Sequence, residues 1–253
     1  MKGLSLNLQR ALLLIFLLLA WEFASGTLVD ANFAGKPSRI GAALYGWIVS
    51  GEIWPHVMAT LREAFVGYVA GSVLGVLCGV LLGLNPFVSR VVYPVITAVY
   101  SVPKVSFAPL LIMVFGIREP SKIALTALIV FFFVFYDTYR GTRSVSDELK
   151  DSVMVMGANR WQFFRIVVWP TTLEAVIDGL KISVPYALIG AVSGEIIISN
   201  QGLGYLVRQH ANLLDVNGVF AALTILLVFS VATNILINRV RRNTNRWRGE
   251  HVV

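Results

Sequence analysis

Six stretches of apolar residues, each about as long as a membrane is thick, constrain the fold of this chain more than any other feature. A helix needs about 20 apolar residues to cross the hydrocarbon layer of a bilayer. Of the 253 residues, 57% are hydrophobic and only 14% are charged, whereas a soluble domain is about one quarter charged. The sequence therefore predicts an all-α integral membrane protein, with residues 1–253 forming a single transmembrane domain. The predicted spans are 8–25, 58–84, 91–116, 121–139, 171–198 and 217–238.

The lysine and arginine residues predict how the chain is oriented. Most of the 21 lie in the N-terminal segment, in the loop 140–170 and in the C-terminal tail, whereas Arg118 and Lys122 fall in a predicted external loop. Because basic residues accumulate on the cytoplasmic side of a membrane, we expect both termini and the 140–170 loop on that side. The tail would then contact anionic lipid headgroups. This distribution accounts for the net charge of +7 without a nucleic-acid partner.

The first apolar stretch has a second interpretation. Lys2 and Arg10 precede the run ALLLIFLLLA, and small residues follow at 24–26, which is the pattern of a secretory signal peptide. Cleavage would leave five spans and an external N-terminus. The apolar run continues through Trp21 and Phe23, and this length favours a membrane span.

The second span carries a stripe of glycines, one every four residues. This spacing places them on one face of a helix, where another helix backbone can approach closely. The stripe predicts helix packing within the subunit or, in a sharper hypothesis, against a helix that slides during function. Its members are Gly67, Gly71, Gly75, Gly79 and Gly83.

The third span contains three prolines, and Lys104 follows the middle one, Pro103. Proline removes a backbone donor and breaks a helix, and such breaks at membrane depth occur where protein or water satisfies the freed groups. Lys104 is therefore a candidate for lining a pathway. In the alternative interpretation, its side chain extends to the membrane interface.

Other ionisable residues also lie inside predicted spans, where they are costly and often functional. Glu195 precedes a glycine-rich turn with Gly202 and Gly204, and it is either a gate residue or a hydrogen-bond acceptor for the backbone of that turn. Asp178 and Lys181 are three residues apart, so they share a helix face and are expected to neutralise each other.

Sequence motifs for catalysis and metal binding are absent. The chain has no GxxxxGK[ST] phosphate-binding loop, no HExxH motif and no Cys/His cluster with metal-ligand spacing. Its one cysteine, Cys78, lies within an apolar run. We expect a non-catalytic chain without a metal site or a cofactor of its own.

The segment between the fourth and fifth spans, 147–170, reads DELKDSVMVMGANRWQFFRIVVWP. Acidic residues at its start favour a helix N-terminus through the helix dipole. Gly157 permits a turn out of that helix, and Pro170 is expected to stop the helical segment that follows. The pattern predicts a rigid projection at one membrane face, which a soluble partner could push.

This segment resembles the EAA loop of permeases from bacterial ABC importers. The resemblance rests on an acidic residue, Asp151, a glycine six residues later, Gly157, and a proline 13 residues after that, Pro170. Asp151, Ser152 and Val153 stand where the family has Glu-Ala-Ala. Three further blocks, 50–84, 101–125 and 193–206, are similar to permeases of the nitrate/sulfonate/taurine type. The likeness extends over residues 45–240.

The resemblance implies six transmembrane helices with a cytoplasmic coupling helix between spans four and five, in a bacterial inner membrane. It implies that a second copy of the chain completes the pore and that two ATPase subunits bind ATP and Mg. A periplasmic binding protein would deliver a small solute; Lys104 is compatible with an anion, and the family also includes permeases for thiamin precursors and flavins. The residues expected to contact the ATPase are Asp151, Ser152, Val153, Met156, Gly157, Ala158, Asn159, Arg160 and Pro170.

Two other classes of protein remain as alternatives. A stand-alone secondary transporter or channel would not need the rigid projection and would show an ionisable relay across its spans. A membrane-embedded enzyme or scaffold would need a convergent catalytic set, which the sequence does not show. The 147–170 segment favours the importer.

Overall fold

The computed structural model describes residues 6–245, so Lys2 and the basic residues after 245 lie outside the described part. Helices dominate this range, and within it the one β-type contact is an isolated bridge between Ser25 and Val29. A 3-10 turn, Lys104–Phe107, precedes α6, and a π-helical turn, Phe164–Val168, joins α9 to α10. The helices are α1 (Leu6–Ala24), α2 (Ala31–Ala34), α3 (Pro37–Ser50), α4 (Ile53–Leu84), α5 (Pro86–Ser101), α6 (Ala108–Phe115), α7 (Glu119–Arg143), α8 (Asp147–Val155), α9 (Arg160–Phe163), α10 (Trp169–Ile197), α11 (Leu203–Asn212) and α12 (Val216–Asn245).

Four helices among the described residues are long and apolar enough to cross a membrane. They are α4, α7, the helical run 160–197 and the first 20 residues of α12, and α5 with α6 adds a fifth if that bent pair forms one span. The predicted first span corresponds to α1, which is outside this set. Its apolar side chains from Leu12 to Leu19 are exposed on every side of the helix, a pattern that requires apolar surroundings such as lipid.

The predicted third span, 91–116, is broken near Pro103, as its prolines indicate. The chain forms two helices there, and they meet at an angle of 94°. Val102, before Pro103, has extended backbone angles, as expected because the proline ring disfavours a helical conformation in the preceding residue. Pro109 then lies in the first turn of α6, where a missing N–H is tolerated. Lys104 lies at this bend.

The core of the molecule is a parallel pair formed by α4 and α7. Each glycine of the α4 stripe meets the residue of α7 that is 59 positions later, from Gly67 with Thr126 (126 − 67) to Gly83 with Thr142 (142 − 83). A methyl group added at Gly71 would lie 2.4 Å from the Ala127 carbonyl oxygen. The stripe therefore allows the two backbones to approach closely within one subunit.

Helix α10 packs against another side of α7. The backbone of Thr126 lies close to Gly190, and Ala175 lies close to Gly141. Helix α7 is consequently enclosed, and its residues Val130, Val134 and Phe135 are fully buried. This central position makes α7 the helix against which both long neighbours are positioned.

Two further sequence predictions are corrected here. Lys122, assigned to an external loop, is a buried residue in the first turns of α7. Pro170 does not stop a helix: it lies in the first turn of α10, directly after the π-helical turn. A proline at a helix start needs no N–H partner, so the helical path continues, and the fifth span begins before the predicted residue 171.

Candidate functional site

Helix α8 forms a short projection at the end of the molecule where α7 ends. The side chain of Ser146 caps its N-terminus by accepting a hydrogen bond of 3.2 Å from the Leu149 N–H, which satisfies one of the free donors of the first turn. Ser152 donates through its hydroxyl to the Glu148 carbonyl oxygen at 2.8 Å. Within the chain, α8 contacts α9 most closely.

A tight turn connects α8 to α9. Gly157 has φ of +88°, a left-handed conformation that glycine adopts at helix C-termini at little cost. Two residues later, the Asn159 side chain and the Gln162 backbone N–H are 2.8 Å apart, and the Gln162 side chain accepts from the Asn159 N–H at 2.8 Å. This capping box starts the next helix. We call residues 146–163 the coupling segment.

The coupling segment exposes large apolar side chains at its turn. Val155 is 88% exposed, Met156 is 85% exposed and Trp161 is 65% exposed. Of the residues predicted to contact a partner, Val153 and Ala158 are half-buried and the others on this segment are exposed. The structure brings these eight together, whereas Pro170 lies outside the segment on α10. An exposed apolar surface rimmed by polar groups is typical of a protein–protein contact.

The opposite end of α7 carries a buried polar cluster. The Lys122 ammonium contacts the Glu63 carboxylate of α4 and donates to the Ser199 hydroxyl at 2.9 Å. Glu63 is 1% exposed and Lys122 is 5% exposed. The pair continues the α4–α7 register, since 122 − 63 is again 59. A buried carboxylate of this kind depends on its charged partner.

Glu195, fully buried on α10, holds the N-terminus of α11. Its carboxylate accepts from the Thr60 hydroxyl and from the Gly204 N–H, both at 2.7 Å. Thr60 in turn accepts from the Leu203 N–H at 2.8 Å, and His56 Nδ1 accepts from the Gly202 N–H at 3.1 Å. Three consecutive N–H groups are thus bound by side chains of α4 and α10.

Gly202 makes this arrangement possible. It has φ of +112°, and a methyl group there would lie 2.2 Å from the Glu195 carboxyl carbon. As the N-cap residue it has no side chain to cap α11 itself, and so the other elements supply the acceptors. The structure thus contains the hydrogen bond to the turn that was one of the two interpretations of Glu195, and a role as a gate stays a prediction.

A cavity of about 880 Å³ adjoins this cluster. Glu63 and Lys122 line it, together with Arg118, Glu119 and Arg208. Arg208 donates to the carbonyl oxygen of Ile197 at 3.0 Å and also to that of Ser199. It therefore ties α11 to the end of α10.

Lys104 and Lys181, which also lie within predicted spans, have different surroundings. Lys104 is half-exposed at the bend between α5 and α6, and its ammonium lies 3.7 Å from the centroid of the Tyr100 ring. Lys181 forms the expected ion pair with Asp178 on α10, at 3.7 Å. Among residues 6–245, no three His, Cys, Asp or Glu side chains are placed to hold a metal ion.

Glu63 and Thr60 are not among the site residues that the sequence predicts. A signal for the ion pair exists in the spacing, because Glu63 lies four residues before Gly67 and Lys122 lies four residues before Thr126. Both residues therefore continue a face with a four-residue period. Only the structure, which gives the register between α4 and α7, shows that Glu63 and Lys122 are in contact.

Comparisons with known proteins agree with this architecture. The family described as "Binding-protein-dependent transport system inner membrane component" matches residues 71–246. The formylaminopyrimidine transport permease protein ThiX of Halalkalibacterium halodurans is 31% identical, over 95% of this chain and 96% of that protein. The riboflavin transport system permease protein RibX of Chloroflexus aurantiacus is also 31% identical, over 92% of this chain and 88% of that protein.

Another relative and a solved structure extend the comparison. The putative aliphatic sulfonates transport permease protein SsuC of Bacillus subtilis is 29% identical, over 96% of this chain and 89% of that protein. A chain of the MetNI methionine ABC transporter, solved in an inward-facing conformation, has a TM-score of 0.63 at 20% identity. It aligns with 78% of this chain over 96% of its own length, so the fold is shared.

The family match covers more than half of the chain, and the relatives align over nearly its whole length. The chain therefore belongs to the family of binding-protein-dependent inner membrane transport components. It is a permease subunit of an ABC importer for a small solute. The alternative of a stand-alone secondary transporter is not favoured.

Proposed function

We propose that this permease couples solute import to ATP hydrolysis in separate subunits through the coupling segment. The observation that carries the proposal is the exposed apolar surface that Val155, Met156 and Trp161 form around the turn between two capped helices. When a groove on a partner protein covers this apolar surface, apolar area is removed from water and the complex is stabilised. The helix caps stiffen the coupling segment, so that a push on α8 is transmitted through the Gly157 turn to α9 and α10.

The proposed assembly contains two copies of this chain and two ATPase subunits, which bind ATP and Mg. A periplasmic binding protein delivers the solute from the opposite side. The assembly lies in a bacterial inner membrane, with both termini and the coupling segment in the cytoplasm. The apolar helices that are long enough to cross a membrane and the family match support this arrangement.

The proposed solute is small. Relatives are named for formylaminopyrimidine, aliphatic sulfonates, riboflavin and taurine. Lys104, beside the break between α5 and α6, supports a negatively charged group on the solute, and the specificity of delivery belongs to the binding protein.

Co-purification tests the coupling segment directly. The tagged chain is isolated from its host membrane, and the proteins recovered with it are identified by mass spectrometry. We expect an ATPase subunit with the unmodified chain and its loss in Met156→Asp, because a carboxylate cannot be buried unpaired in an apolar groove.

Leu214→Asp is the matched control, since it places the same charge on a leucine that is 84% exposed in the turn between α11 and α12. That variant should retain the ATPase. Equal recovery of the ATPase with both variants would contradict the proposed contact, and recovery of the unmodified chain without any ATPase would overturn the proposed function.

A further inference from the structure

Four tyrosines occupy the space between α5 and α7, and we call this space the tyrosine groove. The Tyr93 ring stacks on Tyr139 with centroids 4.7 Å apart, and Tyr100 and Tyr136 are also 4.7 Å apart. The Tyr136 hydroxyl donates to Thr97 Oγ1 at 3.1 Å, and the hydroxyls of Ser89 and Tyr139 are 2.5 Å apart. Hydroxyl groups thus line the groove along α5.

The groove contrasts with the opposite face of α5. Val91 is 61% exposed and Val95 is 63% exposed, and both lie two residues from Tyr93, which is about 200° around the helix. The valine face suits lipid or another apolar surface. Tyr100 is 37% exposed and Thr97 is exposed, and polar side chains at membrane depth face protein or a water-filled cavity.

Positive charges stand at both ends of the groove. At one end, Arg90 and Arg143 line a cavity of about 410 Å³ together with Ser89, Tyr93 and Tyr139. At the other end, the Lys104 ammonium lies over the Tyr100 ring and 5.3 Å from the centroid of Phe132. At about 1.5 Å per helical residue, the 14 positions from Arg90 to Lys104 correspond to about 20 Å along the direction of α5.

Negative charges are absent from the segment that forms this wall. Residues 86–115, which include α5 and α6, contain Arg90 and Lys104 but no Asp or Glu. Asp137, in the same part of α7 as Tyr136, packs instead against Gly179 of α10. Among the side chains that the structure describes, those that line the groove are therefore cations, hydroxyl groups and apolar groups.

We propose that the tyrosine groove is the wall of a water-filled passage for a small anion. The proposal rests on the proposed function, in which two copies enclose the passage. Arg90, Arg143 and Lys104 attract the anion at the ends. Between them, hydroxyl groups that hydrogen-bond within the groove in this structure exchange those bonds for hydrogen bonds to the passing anion. Neutral donors in the middle allow the anion to leave, because a passage must bind its ion weakly enough to release it.

Cysteine accessibility tests the passage in the assembled transporter in native membranes, without ATP. The one native cysteine is removed by Cys78→Ser, and single cysteines are introduced by Thr97→Cys and Ser101→Cys on the groove side. Val91→Cys and Val95→Cys are matched controls on the opposite face of the same helix. A sulfonate-bearing methanethiosulfonate reagent is compared with a trimethylammonium-bearing one.

We expect both groove cysteines to be labelled and both valine-face cysteines to stay unlabelled. After correction for reaction with a free thiol, the sulfonate reagent should react about tenfold faster, because a cleft lined with one sign of charge concentrates the opposite ion. Lys104→Gln should reduce that preference at Ser101→Cys.

Two results would overturn the proposal. The first is labelling of the groove cysteines no faster than that of the valine-face cysteines, which includes no labelling at either. The second is a preference for the trimethylammonium reagent. Because labelling needs no ATP, its failure is distinct from loss of the ATPase in co-purification, which concerns the coupling segment alone.

Discussion

At the scale of single residues, the buried pair of Glu63 and Lys122 differs in kind from the surface pairs of this chain. Both side chains are almost completely removed from solvent, whereas the pair of Arg62 and Glu119, at 3.4 Å, is 68% and 41% exposed. Water screens the exposed pair and weakens it. In the buried pair, each charge depends on the other for compensation.

Lys122→Met should therefore destabilise the protein by about 3–5 kcal/mol, because it leaves the Glu63 carboxylate buried without a cation. Thermal unfolding of the purified protein in detergent measures the effect. The double variant with Glu63→Gln should recover much of the loss, since no charge then remains buried.

Arg62→Met serves as the control for this prediction. It removes a cation of the same helical bundle from an exposed pair, and its melting temperature should remain close to that of the unmodified protein. Equal melting temperatures for Lys122→Met and Arg62→Met would contradict the assigned role of the buried pair.

The sequence predicts single residues well only where the determinants are local. The sequence indicates a role for Glu195 because this acidic residue precedes a glycine-rich turn. Both predicted roles, a gate residue and a hydrogen-bond acceptor for the turn, follow from that local pattern. Lys122 was misplaced because its partner, Glu63, is 59 residues away. Nothing near Lys122 in the sequence shows that a carboxylate on another helix compensates it.

At the scale of helices, the α4–α7 pair is built from two complementary faces with the same four-residue period. Small residues on α4 meet β-branched residues on α7: Thr126, Val130, Val134, Thr138 and Thr142. Branched side chains have few rotamers, so they form a regular ridge that the glycine face accommodates. Van der Waals contact of this kind drives helix association inside a bilayer.

Gly71→Ala should destabilise this pair by about 1–3 kcal/mol, the usual cost of adding a methyl group to a well-packed interior. The new methyl would lie 2.4 Å from the Ala127 carbonyl oxygen, so the backbones must separate. Gly46→Ala in α3 is the control, because no atom apart from its chain neighbours and its own helix backbone lies within 4 Å of the added methyl. A lower melting temperature for Gly46→Ala than for Gly71→Ala would be inconsistent with the packing.

Gly157→Val should abolish ATP-dependent uptake while the protein still inserts into the membrane. The substitution forces a β-branched residue into a left-handed conformation, with φ of +88°, and redirects α8. Gly51→Val is the matched control, because Gly51 has φ of +79° and, like Gly157, has open space around it. Transport into membrane vesicles measures both variants.

If backbone strain from the left-handed conformation were the only cause of lost uptake, Gly157→Val and Gly51→Val would lose uptake equally. Loss confined to Gly157→Val would assign the effect to the geometry of the coupling segment. Normal uptake by Gly157→Val would count against the segment as the coupling element.

Helix predictions succeeded where capping residues and periodicity agree. The end of α8 before Gly157 follows from the left-handed turn that glycine allows. The prediction that Pro170 ends a helix is wrong. The π-helical turn at Phe164–Val168 leads directly into α10, and no residue nearby in the sequence indicates this turn. Pro103 marks the break in the sequence, but the sequence does not give the angle of 94° between the two helices, because α6 also packs against α7.

At the scale of the whole molecule, α7 connects the coupling segment to the buried polar cluster. Lys122 and Arg143 lie near its opposite ends, about 30 Å apart at 1.5 Å per residue, which is about the thickness of the hydrocarbon layer. Helices α4 and α10 pack along the same length. If the coupling segment moves as proposed, its displacement would act on these packed helices, whose far end holds α11.

The orientation of this unit gives the last prediction. With six crossings, by α1, α4, the α5–α6 pair, α7, α10 and α12, both termini would lie on the side of the coupling segment, and the basic residues lead us to expect that side in the cytoplasm. Alkaline phosphatase, which is active only outside the cytoplasm, should be active when fused after residue 50. It should be inactive when fused after residue 145 or at the C-terminus.

Activity of the fusion after residue 145 would reverse the orientation and remove the coupling segment from reach of a cytoplasmic ATPase. The intact mass of the purified chain settles the first span, because a cleaved signal peptide would remove about 25 residues. We expect the full mass. A retained α1, apolar on all sides, then provides the crossing that brings the N-terminus to the same side as α8.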